Sequence, residues 1–275
     1  MSAEEVEHWF SIPTLEPEHD MRVAVDAGGE LVGYADVNNG GTERTRFWID
    51  MRLRPGADEA VGDALVSVLE TRARERAAPG ALARGIHAGN DEPAKRVFGA
   101  RGYELIRHSL RMERSFEDEV EEPVWPKGLT LRTAADDELQ RVWAAAEDGF
   151  RDHWEFELQP YEEWLHWAKG PDTDRSLWFL AEDGDEIAGA CLCRPHEAGE
   201  PDAGYVASLS VRLPWRRRGL ALALLLHSFG EFRRRGRTRV SLGVDAENTT
   251  GAVRLYERAG MRMVRRYELV DKPLD

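Results

Sequence analysis

Four consecutive residues, Arg216-Arg217-Arg218-Gly219, carry the densest chemistry in this sequence. Before them, Val206 to Val211 alternates apolar and small side chains, the pattern of a half-buried strand that Pro214 then breaks. After them, Leu220 to Phe229 is an apolar run long enough for a buried helix. A strand, a short Arg/Gly loop and a helix make an anion site. The first helical turn leaves backbone N–H groups without partners, and the aligned peptide dipoles add partial positive charge there. Gly219 admits a phosphate close to the backbone because it has no Cβ, and Arg216 and Arg218 add charge-assisted hydrogen bonds from the side. No Gly-Lys-Ser/Thr follows, so this is not a P-loop. The further glycines of a dinucleotide fingerprint are also missing.

A second stretch adds to the first. Val240 to Asp245 reads as a strand and Ala252 to Ala259 as a short helix closed by Gly260. Tyr256 stands one turn after Ala252 and two turns after Asn248, on the same helical face. Together these residues resemble the GNAT acetyltransferase superfamily. Arg216-x-x-Gly219-x-Ala221 resembles its pyrophosphate loop, and Asn248-x-x-x-Ala252-x-x-x-Tyr256-x-x-x-Gly260 its second cofactor segment, in the family's order. The resemblance implies acetyl-CoA as cosubstrate, held by Leu209, Ser210, Val211, Arg216, Arg217, Arg218, Gly219, Leu220, Ala221, Asn248 and Ala252. It also implies a mixed, mostly antiparallel α/β (α+β) sheet flanked by helices. Two central strands splay, and the pantetheine arm of the cofactor lies in the gap.

Acetyl transfer to an amine needs a proton acceptor for the amine, donors for the developing oxyanion and a proton source for the departing thiolate. Backbone N–H groups of Leu209-Ser210-Val211 suit the oxyanion. Tyr256 is the candidate acid, kept protonated by a pKa near ~10. The strand carboxylate of many relatives has no counterpart, since Tyr205, Ala207 and Ser208 stand there. The base is therefore expected from Phe150 to Leu158 or from a water chain. His153 and Glu155 lead, ahead of Asp152 and Glu157. Phe150, Trp154, Glu155 and Tyr205 are the expected acceptor contacts, with Trp154 and Phe156 as walls for an apolar or aromatic acceptor. Transfer of another acyl group, a hydroxyl acceptor or a non-catalytic acyl-CoA-binding module are the alternative readings.

The elements that must position these groups occur twice. Arg22 to Asp36 reads like Trp178 to Cys193, each a hairpin around an acidic Gly turn, and Ser2 to Trp9 reads like Pro160 to Trp167. Asn90, Ala94, Phe98 and Gly102 repeat the spacing of Asn248, Ala252, Tyr256 and Gly260 at a constant offset of 158. The chain is thus read as two tandem copies, residues 1–116 and 129–275, joined by the acidic, Pro-containing linker 117–128. The first copy is truncated, lacking a counterpart of the strand and helix expected over Leu129 to Gln159. It is also degenerate. Aligned without gaps, Arg54 to Gly62 faces Leu213 to Ala221, so Asp58 and Glu59 replace Arg217 and Arg218, and Phe98 replaces Tyr256. Carboxylates suit a helix N-terminus but repel a diphosphate. Tandem chains of this kind are similar to the mycothiol synthase family.

The 275 residues are comfortable for two domains. A net charge of −14 argues against nucleic acid as a partner, since phosphate backbones select basic faces. No apolar run reaches membrane-span length and no signal segment is visible, so a cytoplasmic location with no membrane partner is expected. Cys191 and Cys193, the only cysteines, are read as small buried side chains on one strand face, and no metal site is expected. The expected partner is a small-molecule amine acceptor, with the chain a monomer or a homodimer.

Overall fold

The computed structural model describes residues 3–39 and 43–275; Ser2, where the expected Ser2–Trp9 match begins, lies outside them. In the first copy, helices α1 (Ala3–Phe10) and α2 (Pro17–Asp20) precede strands β1 (Met21–Val25), β2 (Leu31–Asn39) and β3 (Arg46–Leu53). Helix α3 (Glu59–Arg76), strand β4 (Leu82–Ala88), helix α4 (Glu92–Ala100) and strand β5 (Glu104–Ser115) complete it. The second copy opens with β6 (Thr130–Thr133) and α5 (Leu139–Phe150). It then repeats the first: α6 (Tyr161–Ala168), β7 (Trp178–Asp183), β8 (Glu186–Arg194), β9 (Ala203–Val211), α7 (Leu220–Arg234), β10 (Arg239–Asp245), α8 (Ala252–Arg258) and β11 (Arg262–Pro273). Among the described residues, β6 and α5 have no counterpart before α1. No helix of the described residues is long and apolar enough to cross a membrane.

The compact units exchange the ends of the two copies. One, here the C-terminal unit, gathers residues 3–8, Leu110–Val244 and Asn248–Val264; the N-terminal unit gathers Trp9–Ser109, Asp245–Glu247 and Arg265–Asp275. The sequence boundaries 1–116 and 129–275 therefore differ from the compact ones at both ends. Residues Tyr267 to Pro273 of β11 pair antiparallel with Ala88 to Leu82 of β4, and Val270 and Leu274 enter the N-terminal core. Arg84, 2% exposed, holds Asp271 by two bonds of 2.7 and 2.6 Å. Twin strands offer the same edge and the same apolar pattern. Local sequence therefore does not choose between a copy's own last strand and its twin. The linker 117–128 has no helix or strand but is anchored, with Trp125 set edge-on to His227 at 5.9 Å.

The C-terminal unit carries strands in the order β5-β10-β9-β8-β7-β6, with β9 and β10 parallel and β6 through β9 antiparallel. One face buries Leu139, Val142 and Ala145 of α5 against Leu180, Ala190 and Leu192. The other buries Leu220, Leu224 and Phe229 of α7, and Tyr256 of α8, against Cys191, Cys193 and Leu242. The two thiols lie 3.6 Å apart, fully buried, as their spacing predicts.

Strands β9 and β10 part early. Their pairing ends at Tyr205↔Ser241, although β9 runs on to Val211 and β10 to Asp245. In the N-terminal unit, β3 and β4 stay paired through Asp50↔Ile86, which lies three residues further along by the 158 offset. A bulge accounts for the difference. The β8–β9 register shifts between Leu192↔Ser208 and Cys193↔Val206, leaving Ala207 as the extra residue, whereas β2–β3 has no such shift. An extra residue bends its strand and tightens the local twist, which turns β9 away from β10. The C-terminal unit thus has the gap through its sheet that the family resemblance implies.

Candidate active site

The N-terminus of α7 meets the gap. Gly219 is its N-cap with φ 86°, a left-handed conformation that glycine adopts freely, and no side chain caps the first turn. Arg217 also has a positive φ, 59°, at a cost of roughly 1–2 kcal/mol for a residue with a Cβ. Arg217, Arg218 and Gly219 are exposed. The matching helix of the N-terminal unit, α3, is closed: Asp58 at its N-cap accepts the Ala60 N–H at 2.9 Å, and Glu59 pairs with Arg96. N-cap for N-cap, the residue facing Gly219 is Asp58. The gapless alignment therefore needs correction. Residues 212–219 bridge β9 to α7 and only 54–58 bridge β3 to α3, eight against five. The three added residues make the open loop.

Arg216 departs from its expected role. Its Nε donates to the Val211 carbonyl at 2.9 Å, Nη2 to the Gly149 carbonyl at 2.8 Å, and both Nη atoms bond Asp152. The guanidinium faces inward, clamping the end of α5 to the end of β9. The same pair holds the Asp152 carboxyl below its usual range, which removes Asp152 as a base. The clamp needs close approach as well. A Cβ at Gly149 would stand 2.7 Å from the Ser210 Cβ and 3.3 Å from the Val211 nitrogen. Gly149→Ala is expected to destabilise the fold by up to about 2 kcal/mol, because overpacking at ~1–3 kcal/mol outweighs the ~1 kcal/mol gain in helix propensity. Thermal unfolding checks this, and a variant melting above the parent would refute the clamp.

On the α7 face of the sheet, Asn248 Oδ1 accepts the Thr250 N–H at 2.8 Å and the Ala252 N–H at 3.5 Å, shaping the entry to α8. Tyr256 follows, 8% exposed, with burial and then the neighbouring Cys191 pushing its hydroxyl up to about 12 rather than the ordinary value expected from sequence. Its counterpart Phe98 is 1% exposed and lies over Gly85, where a Cβ would meet the ring at 2.7 Å. Tyr205 marks the fork of the gap, its ring beneath the Arg111 guanidinium at 5.1 Å.

On the opposite face a cavity of ≈ 320 Å³ opens between α5, α6 and strands β8 and β9. Trp164, Trp167, Trp178 and Phe150 wall it; Leu192, Ala207 and Ser208 bring it to the bulged stretch of β9. Of the expected acceptor contacts, only Phe150 lines it. His153 stacks edge-on against Phe150 at 4.7 Å, Glu155 sits at φ 48° in the turn beyond α5, and Trp154 is 39% exposed; none of the three lines the cavity. The carboxylate that does is Glu147, which sequence reasoning passed over. Its Oε2 accepts the Gln159 N–H at 3.1 Å, and burial raises its carboxyl. The signal was present: Trp143, Glu147 and Phe150 fall on one side of α5 at helical spacing.

A family model described as Acetyltransferase (GNAT) family matches residues 139–261, from the start of α5 to just past α8. A mycothiol acetyltransferase of Geodermatophilus obscurus is 32% identical over 246 residues, covering 86% of this chain and 77% of that protein. The chain belongs to the GNAT acetyltransferase family. A mycothiol acetyltransferase of Streptomyces scabiei is 30% identical over 244 residues, covering 86% and 74%. A solved GCN5-related N-acetyltransferase from Sphaerobacter thermophilus superposes with a TM-score of 0.81 at 32% identity, over 99% of this chain and 86% of that one. A tandem GNAT protein from the clavulanic acid biosynthesis pathway shares the fold, with a TM-score of 0.67 at 15% identity over 99% and 95%. The chain is thus an acyltransferase enzyme of tandem GNAT architecture.

Proposed function

We propose that the C-terminal unit transfers an acetyl group from acetyl-CoA directly to a small-molecule amine. The early parting of β9 and β10 beside the uncapped start of α7 carries this reading. The bare amides of residues 217–221 receive the diphosphate, with Arg217 and Arg218 beside it. The pantetheine arm pairs along the freed edge of β9. N–H groups of Leu209 to Val211 are then placed for the thioester oxygen, donors that need no reorganisation as charge develops on it. The amine nitrogen attacks the carbonyl carbon, a C–N bond forms, and the C–S bond breaks as the tetrahedral intermediate collapses. The thiolate leaves toward Tyr256 on the α7 face, while the acceptor enters from the cavity on the other.

Acetyl-CoA at about a hundred times its dissociation constant is expected to stabilise the protein by about 2.7 kcal/mol. A rise in unfolding temperature, with free-thiol release once an amine is added, supports the reading; no thermal shift with acetyl-CoA or coenzyme A rejects it. The relatives named for mycothiol favour a second reading, a mycothiol-type acceptor, through 32% identity along most of the chain. An acceptor panel in the same assay separates the two.

A further inference from the structure

We propose that Glu147 is the base of the transfer reaction, and that its cavity selects a primary amine carried on an apolar or aromatic body with no acidic group. This deepens the reading above and rests on it.

Charge decides the class of acceptor. Of the titratable residues that line the cavity, Glu147, Arg194 and Cys193, the last turns its thiol to the α7 face beside Cys191. Arg194 is committed, with Nη1 on Asp172 at 2.9 Å, and burial drives the Cys193 thiol well above its usual range, so it stays neutral. Among the described residues that line the cavity, Glu147 therefore supplies the one uncompensated charge. Its Oε2 takes the Gln159 N–H, and its other oxygen has no partner among the described residues. A half-buried carboxylate short of one donor, set among tryptophan rings, fits an ammonium group: the carboxylate takes a charge-assisted bond and the ring faces attract the cation. A substrate carboxylate would meet Glu147 with no free cation to offset it. A sugar's many hydroxyls would find few partners among Trp164, Trp167, Trp178, Phe150 and Leu192.

Position decides the role. The cavity reaches Ala207 and Ser208 on the bulged stretch of β9, the strand whose opposite edge is freed for the thioester. An amine held at Glu147 therefore lies on the far side of the gap from Tyr256. Glu147 accepts one proton from the bound ammonium, the free amine attacks the acetyl carbon, and as the C–S bond breaks the second amine proton leaves the nitrogen for the departing thiolate, giving the amide and the coenzyme A thiol. The proton on Glu147 then passes to solvent through the cavity mouth. Burial raises this carboxyl above its usual range, which strengthens it as a proton acceptor.

The test uses the full chain with acetyl-CoA and three probes: 2-phenylethylamine, phenylalanine and glucosamine. The expected result is a kcat/KM for 2-phenylethylamine at least ~10-fold above the other two, since a buried unmatched charge or unpaired hydroxyl costs at least that much. In Glu147→Gln, kcat is expected to fall ~100-fold, in line with loss of a general base, and the acidic limb of the wild-type pH–rate profile to disappear. Acetyl-CoA binding measured by calorimetry stays unchanged, which separates this inference from the cofactor reading. If acetyl-CoA itself does not bind the parent, that reading fails, and calorimetry of 2-phenylethylamine alone still decides the cavity. Full turnover in Glu147→Gln, an unaltered pH profile, or preference for phenylalanine or glucosamine overturns the proposal. If Glu147→Gln does not fold, the probe ranking on the parent enzyme decides.

Discussion

Replacing Arg217 with Asp and Arg218 with Glu is expected to weaken coenzyme A binding by ~100-fold or more. Each arginine offers the diphosphate a charge-assisted bond worth roughly 1.5–3 kcal/mol, and every 1.4 kcal/mol is a factor of ten in affinity. Both side chains are exposed, so part of that is screened, and the reversed charges add repulsion that also fades with salt. The measurement is calorimetry at low ionic strength, repeated at high salt, where the deficit is expected to shrink. The fold is expected to survive, because both side chains are exposed and Asp tolerates the positive φ of position 217 better than most residues. An affinity within twofold of the parent would place the diphosphate elsewhere.

Tyr256→Phe is expected to lower kcat ~10- to 100-fold and leave the unfolding temperature nearly unchanged. The size follows from the hydroxyl's acidity. A phenol at about 12 facing a thiol near 8.5 would give up its proton uphill by roughly 5 kcal/mol. Full transfer is therefore not its task. It donates a hydrogen bond to the sulfur as negative charge grows there, worth roughly 1.5–3 kcal/mol. The sign of the pH dependence follows too. The proton is present at every pH below about 12, so loss of it produces no alkaline fall in rate within the working range. Phe98, buried at the equivalent place, shows that the ring packs without its hydroxyl. Parental kcat in Tyr256→Phe, measured as thiol release, would remove Tyr256 from the reaction.

Much of this site was legible before any coordinates. Gly219 was legible because a residue without a Cβ stands before an apolar helix, and Tyr256 followed from one helical period; Asn248, expected two turns before it on the same face, lies ahead of the helix, which begins at Ala252. The tandem repeat followed from a constant offset. Other features depend on pairing at a distance. Nothing near Leu110 or Arg265 records which twin strand each will join. The gapless comparison of Arg54–Gly62 with Leu213–Ala221 hid three inserted residues, because a loop keeps no periodicity to betray its length. Arg216 looked free to meet a phosphate because its partners, Gly149 and Asp152, lie 67 and 64 residues away. Glu147 was overlooked because a glutamate on a surface helix is ordinary until the chain from Gln159 returns to cover it.

The pairing of β11 with β4 carries a consequence for synthesis at the ribosome. The N-terminal unit lacks one strand of its sheet until Arg265 to Asp275, made after most of the C-terminal unit, has emerged. Until then β4 shows a bare edge to its surroundings, a template for the wrong partner. The nascent chain thus closes its N-terminal unit only after the bulk of its C-terminal unit has been made.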